Sequence, residues 1–197
     1  MSNHRDMSFA EAEKAGYVAI GPDGIANVDR LDLFHDRIQK HKKSQLTIVS
    51  FTDEGDPIFL DLKFDGQDIH YERDNTWDKF GGNHKGIEAT TCSSFNKRPS
   101  NEISNRTEYV LSDCSADIGF SFPDREEYLL FFLDEITETE AEDAVIKYVN
   151  KPITIISVTK KENQYEVKWE LEGTCESGID YIDIYTGKST NAVRTMC

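Results

Sequence analysis

The chain of 197 residues carries 22 basic and 37 acidic side chains, a formal charge of −15, with 38% apolar and 11% aromatic residues. That length allows one ordinary domain or two small ones, and the apolar and aromatic share is enough for a core, which excludes wholesale disorder. The acidic balance excludes charge-driven binding to nucleic-acid phosphates or to anionic lipid, both of which need clustered Lys and Arg.

Residues 1–16 read as a flexible tether with a short helix at Ser8–Ala15, capped by Ser8 with Glu11 as its capping-box partner. Gly21-Pro22-Asp23-Gly24 is a turn. Asn27 reads as the N-cap of a helix over 28–42, whose Val28, Leu31, Phe34 and Ile38 share one face. Strands are predicted at Leu46–Phe51 and, by the strict alternation of Ile58, Leu60, Leu62 and Phe64, in the segment that follows. Asp65-Gly66 is a hairpin signal leading into a strand at Gln67–Arg73. Asp74 to Lys85 is a polar loop, and further strands are predicted at Gly86–Phe95, Thr107–Ser112 and Tyr128–Leu133. This run, residues 17–134, forms one domain. Residues 135–197 form a second: Thr137 and Glu140 open a helix that Pro152 stops, and three antiparallel strands follow at Ile153–Thr159, Tyr165–Leu171 and Gly178–Tyr185. After Asp134 come 12 acidic and 7 basic residues, so neither domain offers the other a basic surface.

Cys92, Cys114, Cys175 and Cys197 form two pairs, each 22 residues apart, with no C-x-x-C. Three pairings are possible. We take the sequential one, Cys92–Cys114 and Cys175–Cys197, because Cys92 and Cys114 fall on neighbouring strands; four free thiols in a reducing compartment are the alternative. The longest apolar run, Tyr128–Leu133, is far short of a membrane span. The polar start Met1-Ser2-Asn3-His4 suits a mature exported chain, in which a lipidated cysteine would stand before Ser2.

Two resemblances follow from ordered motifs. Ile25-Ala26-Asn27-Val28-Asp29-Arg30-Leu31, Thr52-Asp53-Glu54-Gly55-Asp56-Pro57-Ile58-Phe59, Tyr71-Glu72-Arg73-Asp74-Asn75-Thr76 and Asp78-Lys79-Phe80-Gly81-Gly82, with Thr91-Cys92 and Cys114, resemble a bacterial domain of unknown function, number 4362, over about residues 15–120. That family occurs mostly in exported Gram-positive lipoproteins, so the resemblance implies an oxidising, extracellular setting and cysteine pairing, and no particular chemistry. Ile136-Thr137-Glu138-Thr139-Glu140-Ala141, Tyr165-Glu166-Val167 and Tyr181-Ile182-Asp183-Ile184-Tyr185-Thr186-Gly187-Lys188 look like a PepSY-type module, a kind found in cell-envelope proteins and peptidase propeptides, where it binds or restrains a partner. A Cys175–Cys197 pair is not part of that pattern.

Asp53, Glu54, Asp56, Asp61, Asp65 and Asp68 concentrate acid around the second strand. They read as a cation site or as solvated turn residues plus the outward strand face, and no complete calcium loop is present. The candidate binding residues are Asp74, Asn75, Trp77 and Asp78 of the polar loop, with Asp56; the competing account is an ordered surface loop. Histidines 4, 35, 41, 70 and 84 show no metal-ligand spacing and read as surface residues, and no nucleophile elbow or phosphate loop occurs.

The expected architecture is therefore α+β in two small units, each an antiparallel sheet with a helix packed on one face. The expected function is a non-enzymatic, exported and surface-anchored binding or accessory module of a Gram-positive bacterium. It would be a monomer without cofactor or metal, meeting a protein or peptide partner through an exposed sheet edge, not nucleic acid, and meeting membrane only through a lipid anchor. The alternative is a cytosolic acidic inhibitor, immunity or counter-defence protein that covers a basic partner. A hydrolase with an unrecognised site ranks last.

Overall fold

Strand-forming residues dominate the chain, and the computed structural model, which describes residues 4–116 and 127–196, is an α+β molecule with two sheets and three helices among those residues. The chain divides into two units, residues 1–98 with 108–132, and residues 99–107 with 133–197.

The eight-stranded sheet runs in the order β2-β1-β3-β4-β5-β6-β7-β8. Its strands are β1 (Val18–Gly21), β2 (Gly24–Ala26), β3 (Ser44–Phe51), β4 (Pro57–Phe64), β5 (Ile69–Asp74), β6 (Ile87–Pro99), β7 (Arg106–Cys114) and β8 (Glu127–Asp134). Two helices precede β3, α1 (Phe9–Ala15) and α2 (Asp29–Gln39). The sheet is not wholly antiparallel, contrary to expectation: β1 pairs with β3 in parallel, Val18 opposite Ile48. Parallel neighbours need a crossover, and the stretch through β2 and α2 provides it. The turn at Gly21–Gly24 joins β1 to β2 as read, with Gly21 opposite Gly24.

Alternation and register give this sheet two distinct faces. On one face Leu46 stands opposite Leu62 and Leu62 opposite Tyr71. With them are buried Leu31 and Phe34 of α2, each contributing about 1.5–3 kcal/mol by burial. The Phe34 ring meets Phe95 edge-on, 5.3 Å between centroids. On the other face Val49 and Phe59 pair across β3 and β4, and they are covered, not exposed. Ala12 of α1, with Met7, Phe9 and Tyr17, packs on Val49, Phe51 and Phe59.

Residues 4–16 are therefore not a loose tether in this structure. The Ser8–Glu11 capping box forms as read, Gly16 closes α1 in the left-handed conformation, and the buried Ala12 fixes the segment against the sheet. Asn27 does not cap α2. Its φ of 56° turns it away, its amide donates to the carbonyls of Glu13 and Tyr17 at 2.9 and 2.8 Å, and Val28 takes the cap position without a side-chain bond. The Asp65-Gly66 signal does mark a hairpin, but the loop is longer than two residues. Asp65 accepts from the backbone N–H of Gln67 and Asp68, and β5 begins at Ile69.

The second unit holds α3 (Glu138–Val149) and a four-stranded antiparallel sheet in the order β12-β11-β10-β9. Its strands are β9 (Ile153–Lys161), β10 (Gln164–Leu171), β11 (Ser177–Asp183) and β12 (Ser189–Thr195). The Thr137–Glu140 capping box forms as read. The expected three strands gain a fourth, because Ser189–Thr195 folds back on β11; it carries no apolar alternation of its own. Ala141 and Val145 of α3 share a buried cluster with Tyr165, Val167, Trp169, Ile182 and Ile184.

Candidate functional site

Beyond Phe59, the face covered by α1 turns polar. The register places Thr47, Asp61, Glu72 and Ala89 in one row across β3, β4, β5 and β6, and Gln45, Lys63, His70 and Thr91 in the next. An open groove of about 660 Å³ lies here, lined also by Tyr71, Thr90 and Ser115. His70 bonds Asp65 at 3.1 Å and Thr91 at 3.3 Å. Burial pushes the Tyr71 phenol up to about 12.

At the end of the groove nearest α1, His4 lies flat on Phe59, ring centroids 4.2 Å apart and planes within 6°. Its Nδ1 is 2.6 Å from Asp74 Oδ2 and its Nε2 2.9 Å from Asp61 Oδ2. Thr47 Oγ1 donates to the other Asp61 oxygen at 2.5 Å. One donor atom each from His4, Asp61 and Glu72 falls within 4.8 Å of the others. Burial pulls the Asp74 carboxyl up, but hydrogen bonds from Thr76 and His4 outweigh it and hold it below the usual carboxylate range. His4, with its side chain only 7% exposed, is thus not the surface residue expected from spacing. The outward face of β4 likewise carries one carboxylate, Asp61, that is engaged by the N-terminal segment rather than merely solvated.

The loop residues singled out in the sequence have other partners. Asp74 Oδ1 accepts from the N–H and hydroxyl of Thr76 at 2.9 and 2.6 Å. Asn75 closes the loop on Gly86, accepting its N–H at 2.7 Å. Asp56 accepts from Lys79 Nζ and from the Lys79 N–H, both at 2.7 Å, and that lysine holds its carboxyl below the ordinary range. Asp78 accepts from the Phe80 N–H at 2.9 Å. Asp56, Asp74 and Asn75 are buried, whereas Trp77 and Phe80 are exposed. Of the five, Asp74 reaches the His4 cluster through its bond to Nδ1.

Glu72 and His4 were missed because neither has a local signal; His4 meets its partners 57 and 70 residues away. One clue was present. Phe59 sits between Ile58 and Leu60, on the face that alternation assigns to solvent, and an aromatic there calls for a cover.

Cys92 in β6 and Cys114 in β7 are disulfide-bonded, as expected. The other expected pair ends on Cys197, outside the described residues. Among the described residues no helix is long and apolar enough to cross a membrane.

Residues 16–108 match the family model of the domain of unknown function DUF4362. The match supports the resemblance read for the first unit, and stops before α3. No curated protein and no solved structure matches the chain.

Proposed function

We propose that the protein is an exported, non-enzymatic binding module that takes a protein or peptide partner in the groove across β3–β6. The groove itself carries the reading. Its volume is that of a ligand site, and Gln45, Thr47, Lys63, His70 and Thr91 offer both donors and acceptors along an extended polar strip. Trp77, exposed on the neighbouring loop, offers the kind of aromatic surface that interfaces use. The Cys92–Cys114 disulfide favours an oxidising compartment, as an exported protein would meet. In this proposal residues 135–197 are the PepSY-like accessory module, with α3 and the antiparallel strands after it as its helix and sheet.

Selection of a displayed peptide library on the oxidised full chain tests this. Enriched peptides should lose at least tenfold in affinity on Lys63→Glu and Thr91→Arg. Unchanged affinity would overturn the groove, and loss on Val193→Arg instead would move the contact to the β12 edge. Thiol titration of the unfolded, unreduced protein from its natural host should find no free thiol. Four would instead favour the cytosolic acidic inhibitor, to which the charge of −15 is suited.

A further inference from the structure

We infer that His4, Asp61 and Glu72 bind a first-row divalent cation, zinc above all, at the α1 end of the groove. The inference stands independently of the peptide reading.

The three ligands come from separate parts of the chain. Asp61 and Glu72 are direct cross-strand partners on β4 and β5, and the N-terminal segment lays His4 beside them. The donor atoms, one from each, lie within 4.8 Å of one another, so that modest side-chain rotations would bring them onto one ion. An imidazole with two carboxylates is a nitrogen–oxygen set that suits zinc, and it leaves a fourth position open to water from the groove.

The surrounding bonds match those of a metal-ligating histidine. Such a histidine usually donates its second ring N–H to a carboxylate, which fixes the tautomer. Here Asp74 Oδ2 lies 2.6 Å from Nδ1, in the place of that second partner, and Nε2 points at Asp61 Oδ2 at 2.9 Å. Stacking on Phe59 sets the plane of the ring, and Thr47 turns Asp61 so that Oδ2 faces the ring. A divalent ion seated here would take the position that Asp61 Oδ2 now holds against Nε2, with Asp74 left as the partner of Nδ1.

Calorimetric titration of the oxidised full chain with zinc chloride, with manganese chloride in parallel, tests the site. One zinc per chain is expected, bound more tightly than manganese. His4→Gln and Glu72→Gln should each weaken binding at least 100-fold, and Asp74→Asn about 10–100-fold. His70→Gln should leave it unchanged. Because a His4 variant could loosen the N-terminal segment, the wild-type protein supplies a second readout. Zinc should move the ¹⁵N resonance of His4 Nε2 more than that of any other histidine nitrogen. No saturable one-to-one binding, binding retained in His4→Gln and Glu72→Gln, or a shift at another histidine would overturn the inference.

Discussion

Gly178→Ala tests the packing of the second unit directly. Gly178 stands opposite Trp169 in the β10–β11 pair. A Cβ there would lie 2.5 Å from Trp169 Cζ2 and 2.7 Å from Cε2, closer than real contacts allow. The ring cannot easily retreat. It is 1% exposed, its Nε1 donates to Asp180 Oδ2 at 2.7 Å, and the Arg194 guanidinium lies 5.0 Å from its centroid. Arg194 is itself tied to the other Asp180 oxygen at 2.8 Å. Overpacking costs about 1–3 kcal/mol, and a displaced ring would also give up a hydrogen bond to a charged group, worth about 1.5–3 kcal/mol. Alanine returns about 0.4–1 kcal/mol by restricting the unfolded chain. The expected loss is about 2–4 kcal/mol, read from urea denaturation followed by circular dichroism. The same substitution made on a Trp169→Leu background should lose most of its cost, because the clash is with the indole. An unchanged midpoint in the single variant, or an equal shift on the leucine background, would refute this account.

Other outcomes follow from the same structure. Replacing Cys92 and Cys114 together by alanine should cost about 3 kcal/mol in urea denaturation, the entropy of a loop of this length; a loss under 1 kcal/mol would show that the bridge adds little. Arg106 grips Asp134 at 2.6 and 2.7 Å and holds its carboxyl below the ordinary range. That contribution is complete above about pH 4 and is lost as the pH falls from there through the lowered native value, so Arg106→Gln should flatten the acid limb of the stability curve and raise the Asp134 midpoint in an NMR titration. Tyr71 works in the opposite sense. The stability tied to its raised phenol is complete below about pH 10 and is lost as the pH rises from there to about 12, so Tyr71→Phe should remove that alkaline loss.

The capped helices were legible from the sequence because their signals are local. Ser8 with Glu11, and Thr137 with Glu140, each satisfy orphan N–H groups within one turn, and both boxes form. β4 and β5 were legible from alternation, β3 from its content of β-branched and aromatic residues, and β8 from its apolar run. The parallel pairing of β1 with β3 was not, because it joins residues 30 apart and leaves no periodic trace in either strand. The His4 cluster was hidden for the same reason: a ring nitrogen and two carboxylates are brought together by strand register and a docked N-terminal segment. Asp56, Asp74 and Asn75 did stand out as polar residues in a loop. Sequence alone could not tell that their side chains were engaged with the loop's own backbone or with Lys79 and His4.

The division of the chain bears on how such a protein can be inherited. The second unit takes its residues from two stretches, 99–107 and 133–197, and the first is likewise split at 98 and 108. The polypeptide crosses between them three times, at the junctions 98/99, 107/108 and 132/133. No single breakpoint in the chain separates all residues of one unit from all residues of the other. A chain truncated at residue 108, where the family match ends, would keep β6 with only the start of β7, and Cys92 without Cys114. A breakpoint anywhere in the chain therefore leaves at least one unit incomplete.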